Sequence, residues 1–228
     1  MKSLYYIIMI TLTAMFVSCD DMLDNIRPYL DKGETIYVGK ADSLSVVAGR
    51  NRMKLEVFLK SGFSQSLCEV TMTDADGITV VDENPMVRTS GLQKLEYEYN
   101  DMKEGEYEFK VIFKDDAGNT SLAEVVNGHS YGDFYESTLA NRRFSRISVK
   151  NGIVTINWKS IENALFTLLT YTTSEGISNS IEIDPLESTT VIEDAALGTE
   201  FTWCTYYRPT ENALDLFKSS DTSDTFPL

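Results

Sequence analysis

Apolar and polar residues take turns along much of the chain. Met53, Leu55, Val57 and Leu59 alternate with Lys54, Glu56, Phe58 and Lys60. Leu95, Tyr97 and Tyr99 alternate with Glu96, Glu98 and Asn100. Tyr107, Phe109, Val111 and Phe113 alternate with Glu106, Glu108, Lys110, Ile112 and Lys114. Successive side chains of a strand point to opposite faces, so these runs predict strands with one face buried and one wet, as in an antiparallel sheet. Asp76-Gly77 separates residues 68–73 from 78–81, which is a hairpin signal. The sequence Asp-Asp-Ala-Gly-Asn at 115–119 makes a second turn, leading into 120–127. With residues 44–47 in front, seven strands with short turns are predicted over 42–128.

The second half repeats the first weakly. Asn151-Gly152 turns residues 147–149 into Val154, Ile156 and Trp158, which align with Met53, Leu55 and Val57. Gly198 to Trp203 likewise matches the stretch from Gly105 to Phe109, with Phe201 at the place of Tyr107. Residues 165–171 and 180–184 supply further strands. Residues 215–226 supply the last, whose Ser/Asp-rich end is expected to fray. Residues 129–143 break the alternation. Gly132 permits a turn there, 136–142 suit a short helix, and the aromatics are expected to wedge between the two halves. The fold class is therefore all-β, as two tandem immunoglobulin or fibronectin type III-like β-sandwiches at 42–128 and 144–228.

Met102-Lys103-Glu104-Gly105-Glu106-Tyr107-Glu108-Phe109-Lys110-Val111 resembles the sixth strand of fibronectin type III domains. In that family a Leu and then a Gly precede a corner Tyr whose hydroxyl bonds back to the backbone. Here Met102 replaces the Leu, and the Gly-to-Tyr spacing is one residue short. The strand is expected; the corner bond is left open. Phe201 has no hydroxyl to make one.

The N-terminus sets the compartment. Behind Lys2, residues 4–17 are apolar except for Thr11 and Thr13. That length suits a signal-peptide core and falls short of the roughly 20 residues of a membrane span. Phe16-Val17-Ser18-Cys19 resembles a bacterial lipobox with Phe in place of the usual Leu. The resemblance implies a signal peptide at 1–18, diacylglycerol on the Cys19 thiol, and acylation of the amine freed by cleavage. An ordinary cleaved signal and a membrane helix are the competing readings. Asp20-Asp21 resembles the export signal of Bacteroidetes surface lipoproteins. The implied location is the outer membrane, lipid-anchored through Cys19 and facing the cell exterior. Residues 19–41 then form a lipidated tether, with Tyr29-Leu30 and 36–38 as apolar pieces that pack back on the first sandwich.

Residues 130–143, taken with Tyr29-Leu30, Gly33-Glu34, Ile36-Tyr37 and Arg52 to Leu55, resemble an uncharacterised family of Bacteroidetes surface lipoproteins with a domain of unknown function. That resemblance covers most of the chain up to Arg143. It implies proximity to glycan-uptake systems and no known activity.

Charge and candidate chemistry narrow the rest. The chain carries 35 acidic against 20 basic residues, a formal charge of −15, and loss of Lys2 with the signal adds to the excess. Nucleic-acid backbones need clustered Lys and Arg, so no nucleic-acid partner is expected. Beyond Cys19, Cys68 and Cys204 lie in different sandwiches and read as free thiols rather than a disulfide. His129 is the one histidine, and it reads as a solvated or capping residue beside the junction. No paired His/Cys spacing supports a metal, and no glycine-rich loop supports a phosphate cofactor. The acidic stretches at 74–77 and 115–119 read as hairpin turns rather than calcium loops. Trp158 and Trp203 fall on core-facing phases. Tyr206 points outward, and Tyr206-Tyr207-Arg208-Pro209 runs to a loop tip, so Tyr206, Tyr207 and Arg208 are the candidate ligand-binding residues. The reading is a non-catalytic cell-surface lipoprotein, a binding or accessory module of a glycan-uptake system, with a glycan or an outer-membrane protein as partner. The alternatives are a structural spacer without a small ligand and, last, a glycoside hydrolase using two carboxylates.

Overall fold

In the computed structural model, residues 37–60 and 64–228 are described. Cys19, Asp20-Asp21 and the tether to residue 36 lie outside them. The alternating runs become strands. Strands β1 (Ser43–Ala48), β2 (Met53–Leu59), β3 (Leu67–Asp74), β4 (Thr79–Pro85), β5 (Gln93–Tyr99), β6 (Gly105–Lys114) and β7 (Glu124–Ser130) form two sheets, ordered β1-β2-β5 and β4-β3-β6-β7. Neighbouring strands are antiparallel throughout. Between the sheets lie Met53, Leu55, Val57 and Leu59 from one side and Cys68, Val70, Phe109, Val111 and Phe113 from the other, all essentially inaccessible to water. Each such side chain contributes about 1.5–3 kcal/mol. The opposite phase of β2 and β5 carries Lys54, Glu56, Lys94 and Glu96, which pair along and across the strands at 2.7–3.5 Å. Val38 and Ala41 are buried in this same core. Val38 thus packs back on the first sandwich as expected, and Ala41 joins it although a single small apolar side chain gives no period to read.

The corner bond is made despite the short spacing. Tyr107 Oη donates to the carbonyl of Lys103 at 3.1 Å. Gly105 absorbs the missing residue at φ +147°, a conformation closed to most L-residues.

The second sandwich follows the same plan. Strands β8 (Phe144–Lys150), β9 (Ile153–Trp158), β10 (Ala164–Thr172), β11 (Ser178–Ile183), β12 (Thr189–Ile192) and β13 (Glu200–Tyr207) precede two short pieces, β14 (Phe217–Lys218) and β15 (Thr222–Thr225). One sheet is ordered β12-β9-β8; in the other, β11-β10-β13 is completed by both β14 and β15 pairing with β13. Asn151 and Gly152, at φ 53° and 82°, make the tight turn predicted between β8 and β9. Val154, Ile156, Leu169, Ile183, Phe201 and Phe226 fill the core with Trp158 and Trp203. Phe201 lies stacked between Trp203, 5.5 Å away, and Phe226, 4.4 Å away. The aligned segments of the repeat, β2 with β9 and β6 with β13, occupy equivalent places. Strand β12 has too few residues to show a period, and the sequence reading lacked it.

The junction departs from expectation. Its helix, α1, is Asp133–Thr138, earlier than the predicted 136–142. Glu104, from the loop before β6, accepts the N–H groups of Phe134 and Tyr135 at 2.8 and 2.7 Å and so fixes the start. Residues 140–143 run extended along the second sandwich. Tyr207 Oη donates to the Ala140 carbonyl at 2.6 Å and Trp203 Nε1 to the Arg142 carbonyl at 2.7 Å. Val38–Leu228 form one compact unit.

Candidate functional site

Three pieces of chain meet between the sandwiches: the turn after β1, helix α1, and the loop from β13 to β14. Gly49 opens the turn. A Cβ there would stand 2.7 Å from Asp215 Oδ2 and 3.2 Å from Leu214 Cβ, so the absence of a side chain is what lets the loop approach. The Leu214 N–H then reaches the Ala48 carbonyl at 2.7 Å, and the Arg50 N–H reaches Asp215 at 2.8 Å. Asn51, at φ 50°, turns the chain so that Arg50 and Arg52 both face the second sandwich. Arg52 grips Asp215 with two bonds, 2.9 and 2.7 Å, and Arg50 grips Glu136 with two, 2.9 and 2.6 Å. The Arg50 guanidinium also lies 4.3 Å over the Phe217 ring. Tyr131, Tyr135 and Phe217 form an aromatic cluster under this, with centroids 4.7–6.1 Å apart. Of the junction's aromatics, Tyr131 and Tyr135 therefore wedge where expected, while Phe134 is exposed. The guanidinium groups hold the Glu136 and Asp215 carboxyls below their usual range.

Beside this joint is a shallow cleft of about 320 Å³, lined by Asp133, Glu136 and Ser137 of α1 and by Lys218, Ser219, Ser220 and Asp221. Lys218 ends β14, and residues 219–221 form the break before β15. Asn141 holds the break open: its Nδ2 donates to the carbonyls of Trp203 and Ser220 and to Thr222 Oγ1, at 2.9, 3.3 and 2.9 Å. Lys218 Nζ bonds both oxygens of Asp221 at 3.0 and 3.1 Å. That pairing lowers the Asp221 carboxyl and raises the Lys218 amine.

The candidate residues named from sequence are split by the structure. Tyr206 is half-buried on the outer face of its sheet, directly across from Lys218, and stacks on Phe166 with centroids 4.6 Å apart. Tyr207 is not at a loop tip. It is buried, with its hydroxyl given to Ala140, because the alternation that turns Tyr206 outward turns its neighbour in. Arg208 is exposed and donates to the Glu211 carbonyl at 3.3 Å. It does not line the cleft. His129 lies on β7, with Nδ1 2.8 Å from Glu106 Oε1. Cys68 and Cys204 are buried free thiols; burial pushes Cys68 up to about 11. Asp74 and Asp115 each accept two backbone N–H groups of their own turns at 2.8–3.0 Å, as hairpin turns require. Among the described residues, no group of three or more His, Cys, Asp or Glu is placed to hold a metal. The cleft was missed from sequence, while its helix was expected three residues later than it stands; the Ser-Ser-Asp run at 219–221 was the available signal for the cleft.

A family model described as a domain of unknown function matches residues 19–217. Among solved structures, a two-domain fibronectin type III segment from chicken tenascin is 12% identical, covering 83% of this chain and 100% of its own, with a TM-score of 0.38. The FN1–FN3 domains of chicken CNTN1 are 11% identical, covering 84% of this chain and 66% of their own, with a TM-score of 0.43. No curated protein matches.

Proposed function

For a chain that belongs to DUF4998, a family of domains of unknown function, we propose the role of a non-catalytic, lipid-anchored surface module that binds or assists in a glycan-uptake system. The observation that carries this is the joint. Two bidentate arginine–carboxylate pairs and an aromatic cluster fix one sandwich on the other. Such a body presents a fixed outer face.

At the joint and the cleft, Glu136, Asp215 and Asp221 are shifted downward by Arg50, Arg52 and Lys218, so these three suit ion pairing and not the raised carboxyl of a glycosidase acid. The same locked joint also suits a spacer that holds a partner away from the membrane and takes no small ligand. The lipid on Cys19 supplies the attachment. Two or three acyl chains, at about 0.8 kcal/mol per buried methylene, anchor stably where one does not.

The deciding experiment has two arms. Labelled fatty acid is expected to mark the wild type and not Cys19→Ala, and protease added to intact cells is expected to digest the wild type. Soluble protein of residues 20–228 is then screened on a glycan array. Specific binding supports the module; its absence, with lipidation intact, supports the spacer.

A further inference from the structure

We propose that the free edge of β4 pairs with the same strand of a second copy of this chain. β4 is hydrogen-bonded to β3 on one side only. That pairing fixes which backbone groups are left over. The Asp74 N–H reaches the Ile78 carbonyl at 3.0 Å, and the Met86 N–H reaches the Ser66 carbonyl at 2.8 Å. Between these ends Val80 stands opposite Met72, Asp82 opposite Val70 and Asn84 opposite Cys68, so the even-numbered residues of β4 bond to β3. In an antiparallel pair they alternate with residues whose N–H and C=O point away. Those residues are Thr79, Val81 and Glu83.

This edge is not guarded. Proteins blunt free edges with lysines, prolines, bulges or a covering loop. β5, which edges the opposite sheet, carries Lys94, Glu96 and Glu98. β4 has no basic residue, its register with β3 is unbroken, and Pro85 stops only its far end. None of its residues is buried, since the outermost strand of a sheet of four overhangs a sheet of three. Ile78, Val80 and Val81 are 57%, 48% and 54% exposed.

The sequence of the strand selects its partner. Run antiparallel about Val81, two copies set Val81 against Val81, Val80 against Asp82 and Thr79 against Glu83. Every outward N–H then meets an outward carbonyl, both faces cover a valine, and no carboxylate opposes another. Glu83 is also paired with Lys114 Nζ at 3.1 Å. Centring the pair on Asp82 would set that carboxylate against itself and oppose Thr79 to Pro85, which has no N–H. The twofold joins two four-stranded sheets into one and reverses the second copy. The contact is small and both copies are acidic, so the pairing is weak and gains from salt. It requires neither lipid nor glycan, and its failure leaves the role proposed above untouched.

The test is sedimentation of the soluble protein of residues 20–228, with cross-linking by a short bismaleimide. Wild type is expected to pass from monomer toward dimer between about 10 μM and about 1 mM, as small interfaces do. It should go further at high salt than at low salt. Val81→Lys should stay monomeric. Val125→Lys, on the outward phase of β7 and 50% exposed, should match wild type. Both side chains are exposed, so both variants should melt with the wild type. The reagent should link Val81→Cys to itself and leave Val125→Cys unlinked; Cys68 and Cys204 are buried and take no part. A monomer at every concentration overturns the proposal. So does a dimer that Val81→Lys leaves intact, or one in which Val125→Cys links as readily as Val81→Cys. Should Val81→Lys unfold, the cross-links decide.

Discussion

Arg142 is among the largest side chains with almost no exposure, at 2%, and among the described residues no carboxylate is paired with it. Its Nε and Nη atoms donate instead to the carbonyls of Lys159, Asp184, Pro185 and Glu187 at 2.7–3.0 Å. The guanidinium lies 5.5 Å from the Trp158 ring. A fork of five N–H donors fits four carbonyls converging from two loops; an ammonium does not. Arg142→Met takes the donors away from those carbonyls, of which only that of Asp184 keeps another, the Glu187 N–H at 3.0 Å, and the expected loss is about 3 kcal/mol, read as a lower urea midpoint. Arg142→Lys should recover less than half of it. A midpoint unchanged in Arg142→Met would show the carbonyls satisfied by water. Nothing in the sequence marks this residue. It sits in a polar pair with Arg143, arginine is usually exposed, and its four acceptors are scattered over residues 159–187. Tyr107 was easier to read, since its strand and corner position repeat a pattern. Tyr107→Phe should cost about 1 kcal/mol, because one net hydrogen bond is lost with no change in packing.

At the scale of elements, the joint is an acid-sensitive contact. The Asp215 and Glu136 carboxyls are lowered chiefly by hydrogen bonds from Arg52 and Arg50. A carboxyl lowered on folding contributes stability that is present above its unfolded value, about 4, and is lost as pH falls through its folded value. Both side chains are partly solvated, so solvent screening limits the size of the effect. The melting temperature should therefore be flat down to about pH 5 and fall below about pH 4. Asp215→Asn with Glu136→Gln should lower the plateau and flatten that fall; an equally steep fall in the double variant would place the sensitivity elsewhere. Strands β2, β5 and β6 of the first sandwich were legible because each has one wet face that keeps its period. The final strand was legible only as a whole. Its interruption at residues 219–221 depends on Asn141, which is some eighty residues earlier in the chain. The cleft that this interruption opens was illegible for the same reason.

At the scale of the molecule, the linker belongs to the second sandwich and the turn after β1 belongs to both. Sandwiches joined by loose linkers usually move independently. Here the two should melt in one calorimetric transition, and Arg50→Ala with Arg52→Ala should split it in two. A single transition in the double variant would mean that the aromatic cluster couples them alone. The repeat of two sandwiches was readable from matching apolar phases such as Leu55 with Ile156. Their locking was not, since it rests on charged residues in turns that look solvated in one dimension. The parallel contacts at the two ends of the first sandwich have a mechanical meaning. Val38 meets Ser121, and Arg50 meets Tyr131, side by side and in the same direction. A pull entering at Val38 and leaving at Tyr131 runs along these contacts, so their bonds bear the load together and do not open one after another. Under such a pull, the first sandwich is braced in shear.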